Sequence, residues 1–286
     1  GCYTISKNRL IAQTFKKKRS KRMYDFSYKN ASSVDDAINS HESSEDGTFL
    51  AGGQTLLPTL KQRLAQPSDL IDLSGIGNLS IIEVGQVVKV GAMTTHAEVA
   101  SSKEIQNTLP SLSDLAEGIG DPQVRNRGTI GGSVANNDPA ADYPAVCLAL
   151  NAMITTNKRE IAADDFFMGM FDTALDEGEL ITSISFPIPE KAAYMKFPNP
   201  ASRYALVGVF VAKMSSGVRV AVTGAGEDGV FRASSLEDAL NRNFSPESLD
   251  NLSISPDGLL SDIHAQNDYR ASLVVTMAKR AVTAAS

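Results

Sequence analysis

Asp121-Pro-Gln-Val-Arg-Asn-Arg-Gly-Thr-Ile-Gly-Gly-Ser-Val-Ala-Asn-Asn-Asp-Pro-Ala-Ala-Asp142 decides how the rest of the chain is read. It gathers Gly128, Gly131, Gly132, Asn136, Asn137, Asp138 and Pro139, residue types suited to turns and permissive backbone. Thr129, Ser133, Ala135, Ala140 and Ala141 between them are small. Such a segment builds no core of its own, but it lets backbone N–H groups approach an anion such as a phosphate. Phe49-Leu-Ala-Gly-Gly-Gln-Thr-Leu-Leu-Pro58 has the same character. The two stretches read as opposite walls of one dinucleotide site.

The 286 residues suffice for one large or two modest domains. With 42% apolar and 21% charged residues, the composition is that of a globular protein. No apolar run reaches a membrane span of about 18 residues. Cys2 and Cys147 are the only cysteines, which excludes a disulfide framework and a four-thiolate cluster. His41, His96 and His264 show no metal-ligand spacing. A reducing, cytoplasmic compartment is expected. Residues 1–22 carry eight basic residues and no acid, against 19 basic and 33 acidic residues in the rest. An acidic body argues against general nucleic-acid binding. Residues 1–22 are expected to be a disordered extension, or sequence upstream of a start at Met23; a docking tail is the alternative.

Local patterns place the elements. Ser32 or Ser33 caps a short helix with Asp35 and Asp36 in its first turn. Thr48–Ala51 reads as a strand, broken by Gly52-Gly53. A helix follows, with Leu56, Leu57, Leu60 and Leu64 on one face. Leu70–Leu73 is the next strand. Strand, glycine pair and helix start form an anion site, or a plain tight turn. Residues 80–91 read as a hairpin, and Thr95 with Glu98 as a capping box. His96 is expected at the surface. A further helix is expected from Pro110 to Ile119. Arg125 and Arg127 either neutralise a phosphate or brace the loop. A helix is expected from Pro139 to Leu150, capped by Asp138, with Cys147 in its core face. Asp142 in its first turn could accept a ribose or ribityl hydroxyl, or compensate the helix dipole. Met153–Thr156 is expected as a strand, Asp164–Met170 as a small helix and Leu180–Phe186 as a strand. The prolines at 187–200 suggest a domain boundary. Paired strands at 206–213 and 218–223, a helix capped by Ser234 and Glu237, and a long final helix from Asn267 complete the chain.

Gly224-Ala-Gly-Glu-Asp-Gly229 matches the G-x-G-x-x-G fingerprint, but no helix opens at once after it. Glu227 and Asp228 would also repel phosphates. It reads as a hairpin turn, and a nicotinamide-type fold is rejected.

Ala51–Pro58 and Arg125–Asp142 together resemble the flavin subunit of the molybdenum hydroxylases, the xanthine dehydrogenase family. The look is closest to the medium subunits of aerobic carbon monoxide dehydrogenases. Tyr194-Met-Lys196, Pro200–Val209, Asp262–Ala265 and Asp268–Arg270 continue the likeness from about Met23 to the C-terminus. The resemblance implies a mixed α/β (α+β) chain. Its parts are a two-subdomain FAD-binding fold of the PCMH (vanillyl-alcohol-oxidase-like) type at 23–187, divided near 75, and a smaller α+β domain at 188–286. It implies noncovalent FAD held by Ala51, Gly52, Gly53, Gln54 and Thr55 and by Thr129, Ile130, Gly131, Gly132 and Ser133. Asp142, Ile181 (or Leu180) and Lys196 match further positions beside the cofactor. It assigns this chain no catalytic acid–base pair, because the cofactor carries the chemistry. It also implies partners: a large subunit with molybdopterin and a small subunit with [2Fe-2S] clusters, assembled as a dimer of heterotrimers. Electrons pass from molybdenum through the clusters to FAD and on to a terminal acceptor. Against this stand a free-standing flavoenzyme and a flavin-less scaffold.

Overall fold

The computed structural model describes residues 23–285; the expectation for residues 1–22 lies outside them. Strands Ser27–Asn30, Asp69–Asp72 and Gly47–Leu50 form a parallel sheet with Asp69–Asp72 in the centre. Parallel neighbours need crossovers, and helices Val34–Glu42 and Leu56–Lys61 supply them. Ser33 is the cap of the first: its hydroxyl accepts from the Asp36 N–H at 3.0 Å. The second is shorter than the leucine spacing suggests. It stops at Lys61, Arg63 turns left-handed at φ 59°, and Leu64 points to solvent at 73% exposure.

The next unit is an antiparallel sheet in the order Ile82–Val84, Val87–Gly91, Ile181–Pro187, Met153–Thr156, Glu160–Ala162. Short helices between residues 96 and 150 cover it and close one core around Val88, Leu112, Ile130 and Phe186. The Thr95–Glu98 capping box is present, with Thr95 N–H to the Glu98 carboxylate at 2.8 Å. Helix Tyr143–Leu150 is buried on every side, Cys147 included, as an all-apolar helix must be. It starts at Tyr143, not Pro139. Asp138 folds its carboxylate back onto the Ala140 N–H at 2.9 Å, a side-chain turn that competes with helix. The expected helix at 164–170 is only Ala163–Phe166, after which Phe167–Gly169 and Asp172–Thr173 form a small hairpin.

Strands Lys191–Pro198, Ala205–Met214, Gly217–Thr223 and Phe231–Arg232 make the last antiparallel sheet. Its period-2 alternation serves two cores. Phe210, Ala212 and Ala221 face the first core, while Val207, Val209, Val211 and Val220 face helices Ser234–Arg242 and Asn267–Ala284. The core is therefore continuous across residue 187. Gly224–Gly229 is a turn between antiparallel strands, as its acids indicated. The expected Ser234–Glu237 capping box is absent. The Glu237 carboxylate instead accepts from the Val220 N–H at 2.9 Å and pairs with Arg232.

Candidate functional site

A cavity of about 630 Å³ lies between the parallel sheet, the glycine-rich stretch and the loop 202–204 that joins the first two strands of the last sheet. Its size is that of a cofactor site. Ala51, Gly52, Gly53, Gln54 and Thr55 line one wall; Thr129, Gly131, Gly132, Ser133 and Asp142 line the facing one. Ile181 and Leu180 add apolar surface. Two of the expected positions do not line it. Ile130 is fully buried in the core below. Lys196 stands behind Asp142, its ammonium donating to the carboxylate at 3.0 Å and to the Gly118 carbonyl at 3.1 Å.

The backbone explains the first wall. Gly53 sits at φ 71°, a conformation glycine adopts without a Cβ penalty. The N–H groups from Gly52 to Leu56 donate to nothing among the described residues. They form a donor-rich cradle of the kind that receives phosphate oxygens. A Cβ on Gly52 would collide with the Arg127 carbonyl, so that glycine is needed for contact between the two walls.

The second wall is built differently. Ile130–Asn136 is a helix despite two glycines, capped by the Thr129 hydroxyl on the Gly132 N–H at 3.2 Å. The Ile130 N–H donates to the Thr94 carbonyl at 3.0 Å and the Gly131 N–H to the Ala92 carbonyl at 2.9 Å. These amides are committed within the chain. A Cβ on Gly131 would sit 2.5 Å from the Ala92 Cβ. That glycine lets the helix pack on the strand end. Arg125 is a brace: its guanidinium donates to the Ile119 and Gly120 carbonyls at 3.0 and 3.2 Å.

Asp142 and Glu179 are buried carboxyl groups on the cavity wall. Tyr194 donates its hydroxyl to one Asp142 carboxylate oxygen at 2.5 Å, and Lys196 holds the other. Burial pushes the Asp142 carboxyl up, while Lys196 and Tyr194 oppose the rise. The last sheet stitches the preceding segment down: the Thr223 hydroxyl donates to the Ala141 carbonyl at 2.6 Å. Asp138, also on the wall, is pushed up by burial.

His96 corrects the sequence reading. It is 5% exposed and lines the cavity, its ring 5.3 Å from that of Tyr143. Burial, with Arg125 nearby, lowers it to about 4, so it is neutral at ordinary pH. Arg203 and Tyr204 at the cavity edge and Glu179 on its wall were also missed as site residues. No local pattern marks His96 or Glu179, whereas Tyr204 stood in a stretch already quoted for its likeness.

Among the described residues no cluster of His, Cys, Asp and Glu could hold a metal ion, and no helix is long and apolar enough to cross a membrane. The cavity has a run of amides without acceptors among the described residues at one side and the held Asp142 carboxyl at the other. The family described as FAD binding domain in molybdopterin dehydrogenase matches residues 24–189.

The chain belongs to this family.

Its similarity to the nicotine 6-hydroxylase medium subunit of Paenarthrobacter nicotinovorans is 37% identity over 273 residues, covering 90% of this chain and 96% of the relative. The carbon monoxide dehydrogenase medium chain of Hydrogenophaga pseudoflava is 35% identical over 256 residues, covering 84% and 89%. The solved carbon monoxide dehydrogenase from Oligotropha carboxidovorans superposes with a TM-score of 0.82 at 31% identity, covering 91% of this chain and 96% of that one. The chain is therefore an FAD-binding subunit of a molybdenum-hydroxylase-type oxidoreductase, and its mixed α/β architecture is the one shared with those medium subunits.

Proposed function

We propose that this chain holds FAD noncovalently between its two glycine-rich walls and relays electrons within a complex. The Gly52–Leu56 amides would take the pyrophosphate, with Ala51 and Thr55 shaping that wall. Thr129, Gly131, Gly132 and Ser133 would form the facing wall, Asp142 would accept a hydrogen bond from the cofactor, and Ile181 would pack beside the flavin. Lys196 would act through Asp142, and Ile130 would support the wall from the core. When bound, FAD supplies the redox chemistry, taking electrons from the iron–sulfur clusters of a small subunit and releasing them to a terminal acceptor. The chain's own residues bind, orient and shield it.

The observation that carries this reading is the run of amides, in residues lining the cavity, without acceptors among the described residues. Amides left without a partner in the chain at a cavity wall are available to a ligand's oxygens. The fold is of the PCMH type in this reading, with FAD-binding and C-terminal domains meeting near residue 187. Partners are a molybdenum-binding large subunit and a [2Fe-2S] small subunit, as a dimer of heterotrimers in the cytoplasm. Substrate choice belongs to another chain: similar relatives are named for nicotine, carbon monoxide and glyceraldehyde, which share no recognisable group. The visible spectrum of the purified chain, before and after acid precipitation, tests the proposal. A flavin spectrum that moves to the supernatant is expected. A colourless protein that FAD cannot reconstitute would sink it.

A further inference from the structure

Asp142 is held from behind by residues that lie more than fifty positions away in sequence. Tyr194 and Lys196 are on one strand, two residues apart, so both side chains leave the same face of the sheet. One donates to each carboxylate oxygen, at 2.5 and 3.0 Å. A carboxylate has about four lone-pair directions. The two donors occupy one direction on each oxygen and leave the others for the cavity that Asp142 lines. The strand beside Tyr194 makes room for this contact. Gly208 pairs with Lys196 on that strand, and a Cβ there would overlap the Tyr194 hydroxyl and sit 2.9 Å from the Thr223 methyl.

We propose that Tyr194 is a positioning residue for the cofactor, clamping the Asp142 carboxyl group as an acceptor on the cavity wall, and that Gly208 is a glycine to admit its hydroxyl. This rests on the FAD reading above. The clamp decides whether Asp142 accepts a hydrogen bond from a cofactor hydroxyl or N–H, because a buried carboxyl without donors becomes protonated and turns into a donor itself. The titratable groups around Asp142 are few. Tyr143 comes from its own helix, Asp138 from the preceding loop, Tyr204 from the segment before the next strand, and Tyr194 and Lys196 from behind. Lys196 supplies the positive charge of the clamp and Tyr194 a neutral donor.

The test is FAD binding by the full chain in its purified complex, stripped of flavin and titrated with FAD across pH. Tyr194→Phe should bind FAD about tenfold more weakly. The deficit should grow as pH falls, because the carboxyl that lost a donor is protonated first. Tyr143→Phe is the matched control. Its hydroxyl is buried without a partner, so its removal should leave the affinity and its pH profile unchanged. Lys196→Met, which removes the other donor together with its charge, should show the same pH-dependent loss and serves if Tyr194→Phe does not fold. Unaltered affinity and a flat pH profile in the Tyr194 and Lys196 variants would overturn the clamp while leaving FAD binding standing. An unsubstituted chain that binds no FAD would overturn the parent reading instead.

Discussion

The two glycine-rich walls look alike in sequence and differ in what their backbones do. From Gly52 to Leu56 the amides belong to residues that line the cavity and have no acceptor among the described residues. From Ile130 to Ser133 each amide is already bonded, to Thr94, Ala92, the Thr129 hydroxyl or the Thr129 carbonyl. The glycines divide less cleanly, since Gly52 in the first wall also admits the Arg127 carbonyl. Gly53 provides a left-handed turn in the first wall, whereas Gly131 in the second removes a side chain that would strike Ala92. One wall carries unpartnered donors; the other is a helix pressed onto a strand end, offering small side chains. A glycine pair thus marks close approach, but it does not say whether a ligand or the chain's own backbone is approached.

That contrast can be broken by substitution. The largest effect is expected for Gly131→Val, which overpacks the contact with Ala92 and should cost about 3 kcal/mol. Calorimetry or denaturant melts should show it even in flavin-free protein. Normal stability with lost FAD would mean that the second wall, too, is shaped only for the ligand. Gly52→Ala should separate the walls and weaken FAD binding by about 100-fold, some 3 kcal/mol, with a smaller fall in melting temperature than Gly131→Val. Flavin fluorescence titration measures it, and equal loss of stability in both variants would erase the distinction. Thr129→Ala removes the hydroxyl that caps the second-wall helix and should destabilise by about 1 kcal/mol. Thr55→Ala should change stability by only a few tenths of a kcal/mol, since the Thr55 side chain makes no cap bond. A Thr55 variant as unstable as the Thr129 one would show a cap in the first wall that the geometry lacks.

The features read correctly from sequence are those whose partners lie within a few residues. The Ser33 cap, the Thr95–Glu98 box, the 80–91 hairpin and the acidic Gly224–Gly229 turn are of this kind. The errors also share a cause. Ser234 and Glu237 have the right spacing for a capping box, but Val220 and Arg232 claim the Glu237 carboxylate. Asp138 stands where a cap should be and bonds to its own turn instead. His96 opens a surface-like helix, yet Tyr143 and the Gly128 backbone close over it. In each case a long-range neighbour or a competing local bond outbid the pattern.

By itself the sequence determined that this chain carries paired glycine-rich loops, alternating helices and strands, and the likeness that places it among FAD-binding subunits. These follow from residue type and short spacing, which act through backbone freedom and local hydrogen bonds. Only the tertiary structure decided which amides remain free for a ligand, that Ile130 serves the core, and that Tyr194 and Lys196 stand behind Asp142. Hydrogen-bond acceptors and van der Waals space are supplied by whatever segment folds alongside, and no local pattern of residues encodes that neighbour.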